Sequence, residues 1–388
     1  MLLAGEASGD LHASELIRAL RASDPNARFC FFGGDMMAES AGCAPTVHYK
    51  SMAYMGFAEV VRHLPQVRRN LATAVELLRS QRPDALILVD YPSFNLRVGR
   101  VAHRMGIPVY YYISPKVWAW KAHRVKAIKQ ICRRVLSILP FEEEFYAARG
   151  YRVDYVGNPS VEEMARRLQA VAPFDEFCRQ HQLPARPIIG LFPGSRLSEI
   201  RTNLPIMLEA ARSLEPRYQI VVSQAPGVDR EVYRPLTQAP VVADCATPLM
   251  RHSTVALVTS GTATLECALV GTPQVVCFRH NGSRLFYSLM KRWLTIPYVS
   301  LPNLIAGAEV VPELLVHQCT PERVRAELEN LLPEMPGRRR QLDGYAQLRR
   351  RLGTDSAARR AAQLILADLT GRRLDGSDSR CPEGRPQK

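Results

Sequence analysis

Asp84-Ala85-Leu86-Ile87-Leu88-Val89-Asp90 is a near-continuous apolar run closed by a carboxylate. It lacks the alternation of a strand with one wet face and suits a strand covered on both sides, as in parallel sheets. Runs of the same kind flank it: Ala27–Gly34, Ile107–Ile113, Arg134–Pro140 and the short Tyr155–Gly157. Helical patterns such as Leu11–Ala22 and Leu71–Ser80 lie between them. After a charged connecting stretch over 158–186 the pattern restarts, with Ile188–Phe192, Tyr218–Ser223, Thr254–Ser260 and Gln274–Phe278. Strands alternating with helices predict two α/β, Rossmann-like domains, here expected to face each other across a cleft. A chain of 388 residues also exceeds what one hydrophobic core commonly supports.

The expected divisions are 1–160 for the first Rossmann-like domain and 161–345 for the second. A helix over 346–370 is expected to pack back on the first domain, ahead of a polar, disordered tail over 371–388. The first strand, Met1–Ala4, is shorter than the usual five or so residues. Either the true start lies upstream or the strand is unusually short.

Composition narrows the function classes. Hydrophobic residues make up 47% and charged residues 23%, the profile of a globular protein. No apolar run approaches the roughly 18 residues of a membrane-spanning helix. No secretory pattern opens the chain, so a cytoplasmic protein is predicted. The nine cysteines form no CxxC pair or Cys/His cluster, which predicts reduced core thiols and no metal site. The net charge of +14 points to acidic partners: a phosphorylated substrate, an anionic bilayer surface or nucleic acid. A bias towards Arg, with only seven Lys among 51 basic residues, offers a plainer account. No GxxxxGK[ST] loop and no GxSxG elbow is present, which argues against an NTPase and a serine hydrolase.

Ligands of open α/β sheets bind beyond the carboxyl ends of the strands. After the first strand, Ala4-Gly5-Glu6-Ala7-Ser8-Gly9-Asp10 combines turning glycines with two acids, suited to sugar hydroxyls or simply to a strand-to-helix turn. Asp90, before Tyr91-Pro92-Ser93-Phe94-Asn95, could act as a general base on an attacking hydroxyl, or cap the next helix. Pro193-Gly194-Ser195-Arg196 offers a hydroxyl and a guanidinium at a helix start, suited to phosphate. Ser260-Gly261-Thr262-Ala263-Thr264-Leu265-Glu266 would turn backbone N–H groups towards a diphosphate, with Glu266 one turn on for ribose hydroxyls.

Two segments read as lipid-facing. From Lys116 to Arg134 there are seven Lys or Arg and no acid, and Lys116, Trp118 and Trp120 mix charge with indole as an interface would. A solvated basic helix is the plainer reading of this stretch. Met55, Phe57, Val60, Val61 and Leu64 lie in a basic amphipathic stretch that suits either a membrane interface or a core-facing helix.

Taken together, these motifs resemble the lipid-A-disaccharide synthase family. The match also rests on Met55-Gly56-Phe57-Ala58-Glu59-Val60, Leu139-Pro140-Phe141-Glu142 and Tyr298-Val299-Ser300-Leu301-Pro302-Asn303-Leu304-Ile305-Ala306-Gly307. Eight motifs in the family's order span residues 1 to about 320. The resemblance implies a GT-B fold and an inverting transfer from UDP-2,3-diacylglucosamine to 2,3-diacylglucosamine 1-phosphate. The products would be a β-1,6-linked disaccharide 1-phosphate and UDP. It further implies no cofactor, no dependence on a metal, no nucleic-acid partner and peripheral attachment to an anionic inner-membrane surface; it admits a homodimer. By resemblance Asp90 is the base and Glu6 an acidic partner. Gly194, Ser195, Arg196, Ser260, Gly261, Thr262, Glu266 and Asn303 serve the nucleotide. Rival readings are a UDP-N-acetylglucosamine 2-epimerase, a basic nucleic-acid binder and a non-catalytic lipid carrier.

Overall fold

The computed structural model describes residues 1–52, 64–120, 124–279 and 298–371. Two parallel sheets organise the chain. The first holds β1 (Leu2–Ala4), β2 (Phe31–Gly33), β3 (Val47–His48), β4 (Leu86–Val89), β5 (Val109–Tyr112), β6 (Arg134–Ser137) and β7 (Asp154–Tyr155). Its order is β3-β2-β1-β4-β5-β6-β7. The second holds β8 (Ile188–Phe192), β9 (Gln219–Ser223), β10 (Val241–Val242), β11 (Ser253–Thr259), β12 (Gln274–Phe278) and β13 (Glu313–Leu315). Its order is β10-β9-β8-β11-β12-β13.

The central strands are buried along their whole length, as their unbroken apolar sequences require. Their faces are covered by helices whose apolar stripes turn inward. In the Leu197–Ala211 helix, for example, Ile200, Leu204 and Met207 join Ile189, Leu191 and Leu257 in one core. The three-residue β1 is secured by its place in the sheet, since it pairs with β2 on one side and β4 on the other.

The chain divides into two compact units: Met1–Pro115, His123–Ile138 and Asp355–Lys388 in one, Lys116–Ala122 and Leu139–Thr354 in the other. The division therefore falls at Ile138 and not at 160. Lys116–Ala122 goes with the second unit. The helix that passes the expected boundary at 345 continues to Leu352 within the second unit and stops at Gly353, which has φ +69°. The Ala357–Thr370 helix packs on the Ala7–Ser23 helix of the first unit. Ala357, Ala358, Ala361, Ala362 and Ile365 are its buried residues, and the four alanines are small enough for two helices to approach closely. Asp368 pins it by accepting from Arg134 Nε at 2.7 Å and Nη2 at 2.9 Å. Arg133 Nε adds a bond at 3.3 Å.

In each sheet the strand order reverses at one point, between β1 and β4 in the first and between β8 and β11 in the second. Such a reversal sends the two neighbouring crossovers to opposite faces and opens a crevice at the carboxyl ends. All four turn motifs singled out in the sequence follow these four strands.

Among the described residues no helix is long and apolar enough to cross a membrane.

Candidate functional site

At the reversal point of the first sheet, Ala4 lies opposite Val89, so Gly5 and Asp90 follow adjacent strand ends. Asp90 and Tyr91 both have left-handed backbones, with φ +42° and +45°. Two consecutive non-glycine residues in that region cost on the order of 1 kcal/mol or more each. The surroundings hold them there. Buried Asn95 donates through Nδ2 to Asp90 O at 2.7 Å and Val89 O at 3.1 Å. Tyr111 Oη donates to the same Asp90 carbonyl at 2.7 Å. The N-cap position of the Pro92–Arg104 helix falls on Tyr91, not on Asp90. The Asp90 side chain is half-buried at the sheet edge.

Glu6 occupies the N-cap position of the Ala7–Ser23 helix without a capping bond, and its Oε1 accepts from Ser8 Oγ at 2.9 Å. The second acid of this motif does something else. Asp10 is buried; its Oδ1 accepts from Gly34 N at 2.6 Å and Met37 N at 3.2 Å, and its Oδ2 from Met36 N at 3.2 Å. It thus caps the Asp35–Ala41 helix and is not available to sugar hydroxyls, which leaves Glu6 as the acid at the edge.

The lipid-facing expectations divide. Lys116 is exposed, and Leu64 opens the Leu64–Gln81 helix with 38% of its surface exposed. Trp118 is buried: its Nε1 donates to the buried Glu142 Oε1 at 3.0 Å, and its ring meets Phe141 edge-on at 5.0 Å. An indole enclosed in this way cannot lie in an interface, which corrects the reading of Trp118. Met55, Phe57, Val60, Val61 and the side chain of Trp120 lie outside the described residues.

At the reversal point of the second sheet lies a cavity of about 830 Å³. Gly194, Ser195, Arg196, Ser260, Gly261, Thr262 and Glu266 all line it. The two turns offer different chemistry. Gly194 has φ +115°, and a Cβ there would lie 2.5 Å from Glu199 Oε2. Only glycine allows both the turn and that approach. Glu199 Oε2 accepts from Ser195 N at 3.0 Å and Arg196 N at 3.4 Å. The protein's own carboxylate therefore covers the amides expected to cradle phosphate. What this turn presents is the exposed Ser195 side chain and the Arg196 guanidinium, which is 67% exposed and 3.6 Å from Glu199 Oε1.

The other turn is open. Helix N-termini leave their first N–H groups unpaired. Here no partner for the amides of Gly261, Thr262 or Ala263 is found among the described residues. Gly261 is extended, with no atom near the position of a Cβ. The Thr262–Val270 helix adds its positive dipole end. Glu266 has its carboxyl pushed above the ordinary range by burial, against the pull of Arg167 and with a further push from Glu163. Thr259 lines the same cavity with a buried Oγ1 that has no hydrogen-bond partner among the described residues.

Behind this turn is a buried polar cluster. Gln274 Nε2 donates to Thr264 O at 2.8 Å, while Gln274 N and O pair with Gln341 Oε1 and Nε2 at 2.7 and 3.0 Å. Tyr345 Oη lies 3.1 Å from Gln274 Nε2 and 3.0 Å from Gln341 Oε1. The cluster ties the start of the Thr262–Val270 helix to β12 and to the Pro336–Leu352 helix.

Asn303 is corrected. Its Oδ1 accepts from Val310 N and Val311 N at 2.7 and 2.9 Å, and its Nδ2 donates to Val311 O and Glu313 Oε1 at 2.8 and 2.9 Å. With all four hydrogen-bonding positions used and the side chain buried, it braces its own loop and cannot hold a nucleotide. Sequence reading missed Arg167, Thr259 and Glu199. The Glu163–Arg167 spacing of four was the one visible signal, inside a stretch read only as a connector. Among the described residues no group of three or more His, Cys, Asp or Glu is arranged to hold a metal ion.

Residues 1–367 match the family model described as Lipid-A-disaccharide synthetase. The lipid-A-disaccharide synthase of Myxococcus xanthus (strain DK1622) is 41% identical over 375 residues, covering 94% of this chain and 96% of that one. That of Trichlorobacter lovleyi (strain ATCC BAA-1151 / DSM 17278 / SZ) is 39% identical, covering 95% and 96%. Among solved structures, S. aureus MnaA, determined with UDP, is similar with a TM-score of 0.66 and 13% identity, covering 98% of this chain and 99% of that one. The last likeness concerns the fold alone and agrees with a GT-B-type pair of α/β units.

Proposed function

The chain belongs to the lipid-A-disaccharide synthetase family, and from that premise we propose that it transfers a diacylglucosamine from UDP to a second, phosphorylated diacylglucosamine. The donor is UDP-2,3-diacylglucosamine and the acceptor 2,3-diacylglucosamine 1-phosphate. Asp90 takes the proton from the 6-hydroxyl of the acceptor as the oxygen attacks the anomeric carbon. The bond from that carbon to the diphosphate breaks, UDP leaves with its electrons, and the configuration inverts to β. Glu6 acts beside Asp90, accepting a hydrogen bond from the acceptor sugar.

The observation that supports this reading best is the second-sheet cavity, which is lined by an open helix N-terminus, Arg196 and a half-buried Glu266. A diphosphate leaving group gains most from charge and dipole held ready where negative charge develops. The ribose hydroxyls suit Glu266, and Thr259 Oγ1 supplies a further polar partner. The reaction as proposed uses no metal and no cofactor. Because both substrates carry acyl chains, the protein works at the cytoplasmic surface of the inner membrane. Exposed Lys116 and Leu64, with Met55, Phe57, Val60, Val61 and Trp120, supply that contact.

The test mixes the purified protein with both diacylglucosamine substrates and analyses the products by mass spectrometry, with and without chelator. A disaccharide 1-phosphate and an equal amount of UDP are expected in both. A product at the mass of the donor with an altered sugar configuration would favour an epimerase, and no product from either substrate would sink the transferase reading.

A further inference from the structure

Arg167 lies on the Pro159–Gln169 helix, which packs beside the Thr262–Val270 helix, and it lines the same cavity as Ser260–Thr262 and Glu266. The charged residues of that lining are Arg167, Arg196, Glu199, Asp244 and Glu266. Only two of these are cations, and they differ in setting. Arg196 belongs to the turn that Glu199 already covers. Arg167 comes from the neighbouring helix, and its charge is felt at Glu266.

Glu163, one turn earlier and largely enclosed, accepts a hydrogen bond from Arg167 Nη2 and restrains the guanidinium. That bond uses one of five N–H donors, and 47% of the Arg167 side chain remains exposed. A guanidinium so held keeps a fork of donors for an anion at little further entropic cost. Since Glu266 suits the ribose, an anion within reach of both residues is the phosphate attached to that ribose.

The geometry points to Arg167 as a further binding residue of the nucleotide site, contacting the phosphate that adjoins the ribose. This rests on the nucleotide reading of the cavity and adds a named contact to it. The same side chain pairs with Glu163 and acts through its charge on Glu266.

Calorimetric titration of the full chain with uridine, UMP and UDP separates the possibilities. Arg167→Ala is expected to weaken UMP and UDP to similar extents, by about 10- to 100-fold, the range of a charge-assisted hydrogen bond. Uridine, which has no phosphate, should bind within twofold of wild type. Arg167→Lys, which keeps the charge but loses the fork, should fall between. Thermal unfolding of each variant checks that the fold persists, and Arg167→Gln serves if alanine destabilises the helix. Unchanged UMP and UDP affinity would overturn the inference and leave Arg167 as a partner of Glu163 only. An equal loss for uridine would also overturn it, because the effect would then lie in the shape of the cavity. A wild-type protein that binds none of the three would instead sink the nucleotide reading itself.

Discussion

The ring of Tyr91 lies so close over Gly5 that a Cβ at Gly5 would come within 2.3 Å of Tyr91 Cγ. Tyr91 in turn donates through Oη to Met52 O at 2.7 Å. The turn after β1 and the turn after β4 are thereby fitted to each other, and Asp90 is next in the chain to the residue that makes the fit. Gly5→Ala is expected to displace the ring and lower stability by about 1–3 kcal/mol, the usual cost of an overpacked site. Gly5→Ala with Tyr91→Ala should recover part of that loss but not the turnover. Thermal unfolding and activity measured on the two variants and the wild type check both statements.

Asp90→Asn retains the shape of the side chain and tolerates the left-handed backbone, which Asn adopts more readily than most residues. Turnover should fall by roughly two to four orders of magnitude while UDP affinity and thermal stability stay near wild type. A turnover within a few-fold of wild type would remove Asp90 from the proposed mechanism.

Gln341→Leu removes the acceptor for Gln274 N and the donor to Gln274 O in a fully buried place. The expected loss is about 1–3 kcal/mol for polar groups left without partners. Because the same cluster holds Thr264 O, UDP affinity should also fall, while the first unit keeps its own stability. Denaturant unfolding read by probes in each unit would show the loss confined to the second.

Asp368 gives a pH dependence with a defined sign. Burial alone would raise its carboxyl, but the bonds and charges of Arg134 and Arg133 outweigh burial and leave it below the ordinary aspartate value. A carboxyl lowered in the folded protein stabilises above the unfolded value of about 3.9, and that stabilisation disappears as the pH falls through the folded value. Asp368→Asn should therefore be less stable than wild type at neutral pH, by about 1–3 kcal/mol for charged hydrogen bonds that are partly buried. The difference should shrink below pH 4. A difference that persists unchanged into acid would mean that side-chain packing, and not charge, docks the Ala357–Thr370 helix.

The sheets were legible because burial on both faces demands unbroken apolar strands such as Leu86–Val89 and Ile188–Phe192, and because turn residues mark their ends. The reversal points carry the motifs for the same reason. Less visible was what each carboxylate and amide would meet. Asp10 and Gly34 are 24 residues apart, and whether an acid meets a sugar or a helix N-terminus depends on which loop folds against it. Glu199 was within reach of Ser195 in sequence, yet the turn read as a phosphate cradle because its glycine, hydroxyl and arginine matched one. Trp118 next to basic residues read as an interface anchor, and the partner that encloses it, Glu142, comes from another motif 24 residues away. Asn303 lies in a segment that identifies the family, but its side chain serves the loop over 310–313.

The first compact unit is assembled from both ends of the chain, since its Ala7–Ser23 helix is covered by the Ala357–Thr370 helix. During synthesis on the ribosome the beginning of the chain emerges long before its cover exists. Leu139–Thr354 can complete its own packing in that interval, whereas the earlier unit waits for the Ala357–Thr370 helix to emerge. Its leading helix must be kept from aggregation meanwhile. Truncation shortly before Ala357 would thus injure the portion translated first and spare the portion translated in between.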